Sequence, residues 1–160
     1  MKSTIRRVVT GHDTEAKAIV KIDDVLSGSL VDGGIAAFIK VWTTNVSPAD
    51  NTDESDGGLR ETGLTCPGGT VLRIVDFEAG CKSPMHRTSS IDYGFVLEGE
   101  MTMELDGGSV THLKAGDVVV QKGTNHLWHN LSGKPCRMAF VLIDAKPVEI
   151  GGVRLDKNYD

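Results

Sequence analysis

Two short stretches of the chain carry the residue types from which chemistry is built. The first is Gly80-Cys-Lys-Ser-Pro-Met-His86-Arg-Thr88-Ser-Ser-Ile-Asp92-Tyr93, which runs on to Gly99. On a strand His86 and Thr88 share a face, and Asp92 opens the next segment, where it can return beside them. The second is Gly116 to Gly123, then Thr-Asn-His126-Leu-Trp128-His129-Asn130. On a strand His126 and Trp128 share a face and His129 points the other way. Two imidazoles and a carboxylate suit a first-row divalent ion, and a set without cysteine argues against a structural zinc centre. Each residue also has a plainer role open to it. His86 can be a satisfied polar residue at a turn, and Asp92 can accept from nearby backbone N–H groups or from Arg87. Thr88 suits a substrate-contacting hydroxyl better than a ligand. Tyr93 can donate a proton or simply pack. His129 reads as a surface residue, and Trp128 and Trp42 read as core more than as pocket wall.

These side chains need a scaffold of strands. Short β-branched segments stand at 5–10, 18–22 and 35–43, and more follow in quick succession at 70–78, 93–97, 101–105, 109–113, 117–121 and 136–144. Gly and Asp-Gly turns separate several of them, as at Glu98-Gly99-Glu100 and Asp106-Gly107-Gly108. Met101-Thr-Met-Glu-Leu105 alternates cleanly, so one face is buried and the other wet. The pattern predicts an all-β fold, an antiparallel β-sandwich or jelly-roll barrel with few short helices, one of them a possible helical turn at 22–30. A single domain over 1–160 is expected: N-terminal strands at 1–44, a polar loop or lid at 45–69, a barrel core at 70–148 and a C-terminal tail at 149–160. The middle stretch is rich in Asp, Ser, Thr, Gly and Pro, with Leu59 and Leu64 as its large apolar residues.

Composition narrows the function. A net charge of −5 leaves no basic field to gather phosphates, so nucleic acid is not an expected partner. No apolar run reaches the length of a bilayer span, and the N-terminus has no apolar core of a secretory signal, so neither a membrane nor export is expected. Cys66, Cys81 and Cys136 are odd in number and lack Cys-x-x-Cys spacing, which suits a reducing, cytoplasmic setting.

The two stretches resemble the paired motifs of the cupin superfamily. The first motif, G-x5-H-x-H-x3,4-E-x6-G, is met by Gly80, His86 and Gly99, with Thr88 at the second His position and Asp92 at the Glu position. The second, G-x5-P-x-G-x2-H-x3-N, is met by Gly116, Gly123, His126 and Asn130, with Gln121 in place of the Pro and a first interval one residue shorter. The string from Pro84 to Gly99 is similar to small single-domain bacterial and fungal cupins, some of them associated with polyketide tailoring. The resemblance implies a divalent metal ion (zinc, manganese or iron) held by His86, Asp92 and His126, with Thr88 carried over in position only. It implies a metal-dependent enzyme acting on a small oxygen-rich molecule of secondary metabolism. A non-redox decarboxylase, lyase or isomerase is the first expectation, with Thr88 and Tyr93 as catalytic residues. An Fe(II) dioxygenase and a non-catalytic small-ligand-binding cupin are the alternatives. Small cupins often pair, so a homodimer is expected.

Overall fold

The structure, a computed structural model, describes residues 3–31 and 35–158; the ends of the expected 1–160 domain, and residues 32–34, lie outside them. The described residues form β1 (Thr4–His12), β2 (Ala18–Ser27), β3 (Ser29–Leu30), β4 (Ala36–Thr44), β5 (Thr70–Phe77), β6 (Ser90–Glu98) and β7 (Glu100–Leu105). They continue with β8 (Val110–Lys114), β9 (Val118–Lys122), β10 (His126–His129), β11 (Cys136–Asp144), β12 (Val148–Ile150) and β13 (Val153–Leu155). Every pairing is antiparallel. A six-stranded sheet in the order β3-β4-β5-β11-β6-β9 and a three-stranded sheet in the order β10-β7-β8 build the barrel.

Both sheets feed one core. Val71, Val75 and Phe77 of β5, Val96 of β6 and Met138, Phe140 and Leu142 of β11 meet Met101 of β7, Leu113 of β8 and Trp128 of β10. Their alternation with more exposed neighbours is what a strand with one face inward requires. Cys66, Cys81 and Cys136 are buried and free. The tight turn from β6 to β7 depends on Gly99, whose φ is +78°. A Cβ there would sit 2.6 Å from the Pro135 carbonyl oxygen, so no other residue fits without moving backbone.

The helical turn expected at 22–30 is corrected. Among the described residues there is no helix, and hence none long and apolar enough to cross a membrane. Ile22, Asp24 and Leu26 are half-buried while Asp23, Val25 and Ser27 are exposed, a period of two, and the run belongs to β2 paired with β1. The tail expected at 149–160 also holds structure, the β12–β13 hairpin.

The segment 45–69 contains no strand, yet it is pinned by polar contacts. The buried guanidinium of Arg7 grips Asp56 through two hydrogen bonds of 2.7 and 2.9 Å, and holds Asp24 as well. Thr43 donates its hydroxyl to the Gly57 carbonyl at 2.8 Å, and Lys40 donates to the Arg60 carbonyl. Leu59 is exposed, whereas Leu64 turns inward to line a cavity. Hydrogen bonds from Arg7, above all, hold the Asp56 carboxyl below its ordinary value of 3.8. The anchor is therefore fully present above that pH and is lost only as pH falls through the lower folded value. Asp56→Asn at neutral pH is expected to raise hydrogen exchange at the Gly58 and Leu59 amides about ten-fold with little change in the global melt. Unchanged exchange at those two amides would remove Arg7–Asp56 as the anchor.

Candidate functional site

The two motif histidines are direct cross-strand partners. The segment before β6 runs back along β10, and His86 pairs with His126 as an isolated antiparallel bridge. The His86 N–H donates to the His126 carbonyl at 2.8 Å, and the reverse bond is 2.9 Å. Facing pairs put their side chains on one side, and the two imidazole centroids are 4.3 Å apart. Each ring is also fixed by its own loop. Nδ1 of His86 donates to the Pro84 carbonyl, and Nδ1 of His126 to the Thr124 carbonyl, both at 2.9 Å. A carbonyl can only accept, so both Nδ1 atoms carry hydrogen and Nε2 is the atom each ring can present to a metal. Burial pushes the His126 imidazole down to about 4, against a smaller upward pull from the Thr124 carbonyl, so it is neutral at physiological pH.

Asp92 comes from β6, which follows His86 directly and precedes the His126 strand β10 by four strands, and it lines the same cavity. The Ser90 hydroxyl lies 2.5 Å from its Oδ1, and the Thr88 hydroxyl donates to its Oδ2 at 3.4 Å. Burial raises the Asp92 carboxyl, and the two hydroxyls only partly offset that. Arg87, an alternative partner on sequence grounds, instead donates its Nε to the Gly123 carbonyl at 3.1 Å. Among the described residues no three His, Cys, Asp or Glu side chains gather as a ready ligand group. The imidazole pair is in place, and Asp92 is turned to Ser90 and Thr88.

The inner cavity measures about 100 Å³. Its wall is largely apolar, with Phe38, Val75, Trp128 and Phe140 among the liners, and its polar groups are the two imidazoles, Thr88, Asp92, Gln121 and Arg73. Trp128 stacks edge-on against both His126 and Phe140, so it serves as core and as cavity wall at once. A second hollow of about 240 Å³ lies beside the first, and Leu64 and Thr88 line both.

Two candidates from the sequence stand elsewhere. Tyr93 alternates with Asp92 on β6 and stands on the outer face, 40% exposed, beside the exposed Val118 and Val120 of β9 and outside the inner cavity. His129 follows Trp128 onto the opposite face and lies 3.4 Å from Glu104. Sequence reasoning missed Arg73, Ser90 and the cavity role of Gln121. Arg73 had a signal, since it is the one charged residue in the inward row Val71, Arg73, Val75, Phe77. It also missed Asn158. Asn158 accepts from the Arg87 amide at 2.6 Å and donates to Asn125 at 3.2 Å, tying together the residues that flank His86 and His126.

An antiparallel barrel with two imidazoles facing each other in its inner cavity defines a small all-β barrel class. The chain belongs to the cupin family. The cupin domain model matches residues 73–143, which contain both motif histidines. Phomopsin biosynthesis cluster protein C' of Diaporthe leptostromiformis is 46% identical over 158 residues, covering 93% of this chain and 83% of that one. The cupin-domain-containing oxidoreductase fogC of Aspergillus ruber is 35% identical over 161 residues, covering 96% and 79%. Among solved structures, the polyketide cyclase RemF of Streptomyces resistomycificus superposes with a TM-score of 0.54 over 84% of this chain and 79% of that one. At 19% identity this is a likeness of fold.

Proposed function

We propose that this cupin is a metal-dependent enzyme of secondary metabolism that acts on a small oxygen-rich organic molecule bound in the inner cavity. The proposed reaction is a non-redox lyase, decarboxylase or isomerase step. One observation carries it: two cross-strand imidazoles, each with Nδ1–H tied to a backbone carbonyl, inside an apolar cavity. His86 and His126 would hold the ion through Nε2, and Asp92 would join them on turning from Ser90. A divalent ion bound there supplies Lewis-acid polarisation of a substrate oxygen. The chain's own residues do the rest. Phe38, Trp128 and Phe140 exclude water, and Thr88 and Gln121 orient the substrate by hydrogen bonds. The Ser90 and Thr88 hydroxyls fix where the Asp92 carboxyl stands beside the imidazole pair.

A second reading is a redox one, an Fe(II) enzyme consuming O2. What favours it is the name oxidoreductase carried by several relatives in the 34–36% identity range. The two separate by elemental analysis of protein purified without a metal-binding tag, followed by turnover of a panel of β-keto acids and hydroxybenzoates with and without oxygen. Zinc or manganese with CO2 release in the absence of O2 is the expected result. Iron with strict O2 uptake would replace the first reading by the second. Metal-free protein that binds panel members without turnover would replace both by a ligand-binding role.

A further inference from the structure

Arg73 is the least settled charge in the protein. It lies on β5 in the apolar inward row, lines the inner cavity and is only 8% exposed. Its Nε is fully buried without a hydrogen-bond partner. Its Nη2 is used by two neutral acceptors, the carbonyls of Gly63 and Leu64 at 3.3 and 2.5 Å. The Phe38 ring lies 5.6 Å from the guanidinium carbon. Among the described residues Arg73 forms no ion pair, while Arg7 and Arg137 each hold a carboxylate. Asp92 is near enough to feel the Arg73 charge, but its oxygens are engaged by Ser90 and Thr88. A buried cation with an orphan donor and no directly paired carboxylate is costly. Such a group is stable in use when a ligand supplies what the protein withholds.

We propose that Arg73 is the substrate anchor, and that the substrate class is a small carboxylate whose anionic group docks on the Nε–Nη2 edge of its guanidinium. That edge is the one that receives a carboxylate through two parallel hydrogen bonds. One position on it is vacant of partners, and the other is held by the carbonyls of Gly63 and Leu64, which a charged oxygen outcompetes. Docking therefore displaces the 63–64 backbone, and the larger hollow behind Leu64 is the way in. The inference rests on the reading of the inner cavity as the reaction site.

The test is calorimetric titration of the full chain with acids and their neutral amides of the same shape: acetate against acetamide, benzoate against benzamide. At least one acid is expected to bind about ten-fold or more tightly than its amide, the difference made by a charge-assisted pair. Arg73→Gln should abolish that preference with the circular dichroism spectrum unchanged, and Arg73→Lys should keep part of it. Equal binding of acid and amide to the unmodified protein, or no acid binding at all, would overturn the proposal without recourse to any variant. The same titrations on His126→Ala separate this inference from the metal reading. If the acid preference survives in His126→Ala and vanishes in Arg73→Gln, Arg73 is the anchor whatever the metal does. If it vanishes in His126→Ala and survives in Arg73→Gln, the carboxylate goes to the metal, and the anchor role is overturned while the metal reading stands.

Discussion

On the proposed metal reading, His126→Ala, and separately His86→Ala, are expected to bring bound metal down to about a tenth of the unmodified protein or less, since each would delete one of the two imidazoles proposed to hold it. His129→Ala should keep full occupancy, because His129 faces Glu104 away from the cavity. Asp92→Ala should lower affinity by less, and Thr88→Ala should leave occupancy unchanged. Metal stoichiometry across the five variants decides the matter. Loss in His129→Ala with retention in His86→Ala would remove the assignment. His126 also sets an acid limit on the metal-stripped fold. Its folded value of about 4 lies below the ordinary 6.5, so the unfolded chain takes up the proton first. Stability is then full above about pH 6.5 and falls as pH drops toward 4, by about 3 kcal/mol. Denaturant midpoints of stripped protein at pH 7 and near pH 4 should show this loss. The same pair of midpoints in stripped His126→Ala should show it much reduced.

Asn130→Ala should be the most damaging single change outside the imidazole pair. Asn130 is 0% exposed at the end of the strand that carries His126. Its amide nitrogen is placed to donate to the carbonyls of Phe77, Glu78 and Lys134 at 3.3, 3.1 and 2.7 Å. Its oxygen accepts from the Ser132 amide and hydroxyl at 3.1 and 2.8 Å. One side chain thus closes the β10–β11 turn and ties it to the end of β5. Alanine would leave several buried groups unsatisfied, at about 3–4 kcal/mol, or about 10 °C in Tm for a domain of this size. Asn130→Asp keeps the shape but turns a donor into a second acceptor, so it should not rescue. A loss under about 1 kcal/mol in thermal melts would mean that water replaces the amide and that the turn does not depend on it.

The strands were largely legible in the sequence because their signal is local. The 136–144 run is β11 to the residue, and the 70–78 run is β5 with one residue fewer. β6 begins at Ser90, ahead of the apolar run, because the buried Ser90 and Asp92 on its inward side bond to each other and to Thr88. The two histidines were legible through their spacing in the motifs. Asp92 lies in one cavity with the two histidines, but its bonds to Ser90 and Thr88 are not legible in the sequence, since hydroxyl partners leave no spacing signature. Arg73 was passed over because its partners are carbonyls of a remote loop. The 45–69 loop has few apolar anchors in its own sequence, and Arg7, Thr43 and Lys40 hold it through polar contacts from strands distant in the chain.

The reciprocal backbone bridge between His86 and His126 has a consequence for the life of the molecule. Only about forty residues separate the two rings, and that span includes β6 to β9, nearly half of the barrel. An ion gripped by both rings would turn the span into a closed ring. In the chain-entropy description, a cross-link of that size takes about 4 kcal/mol of freedom from the unfolded chain. A chelator would then act on this protein much as a reductant acts on a disulfide, and the loaded barrel would open far more slowly than the empty one. Metal supply would set how long each copy survives, quite apart from any reaction performed inside it.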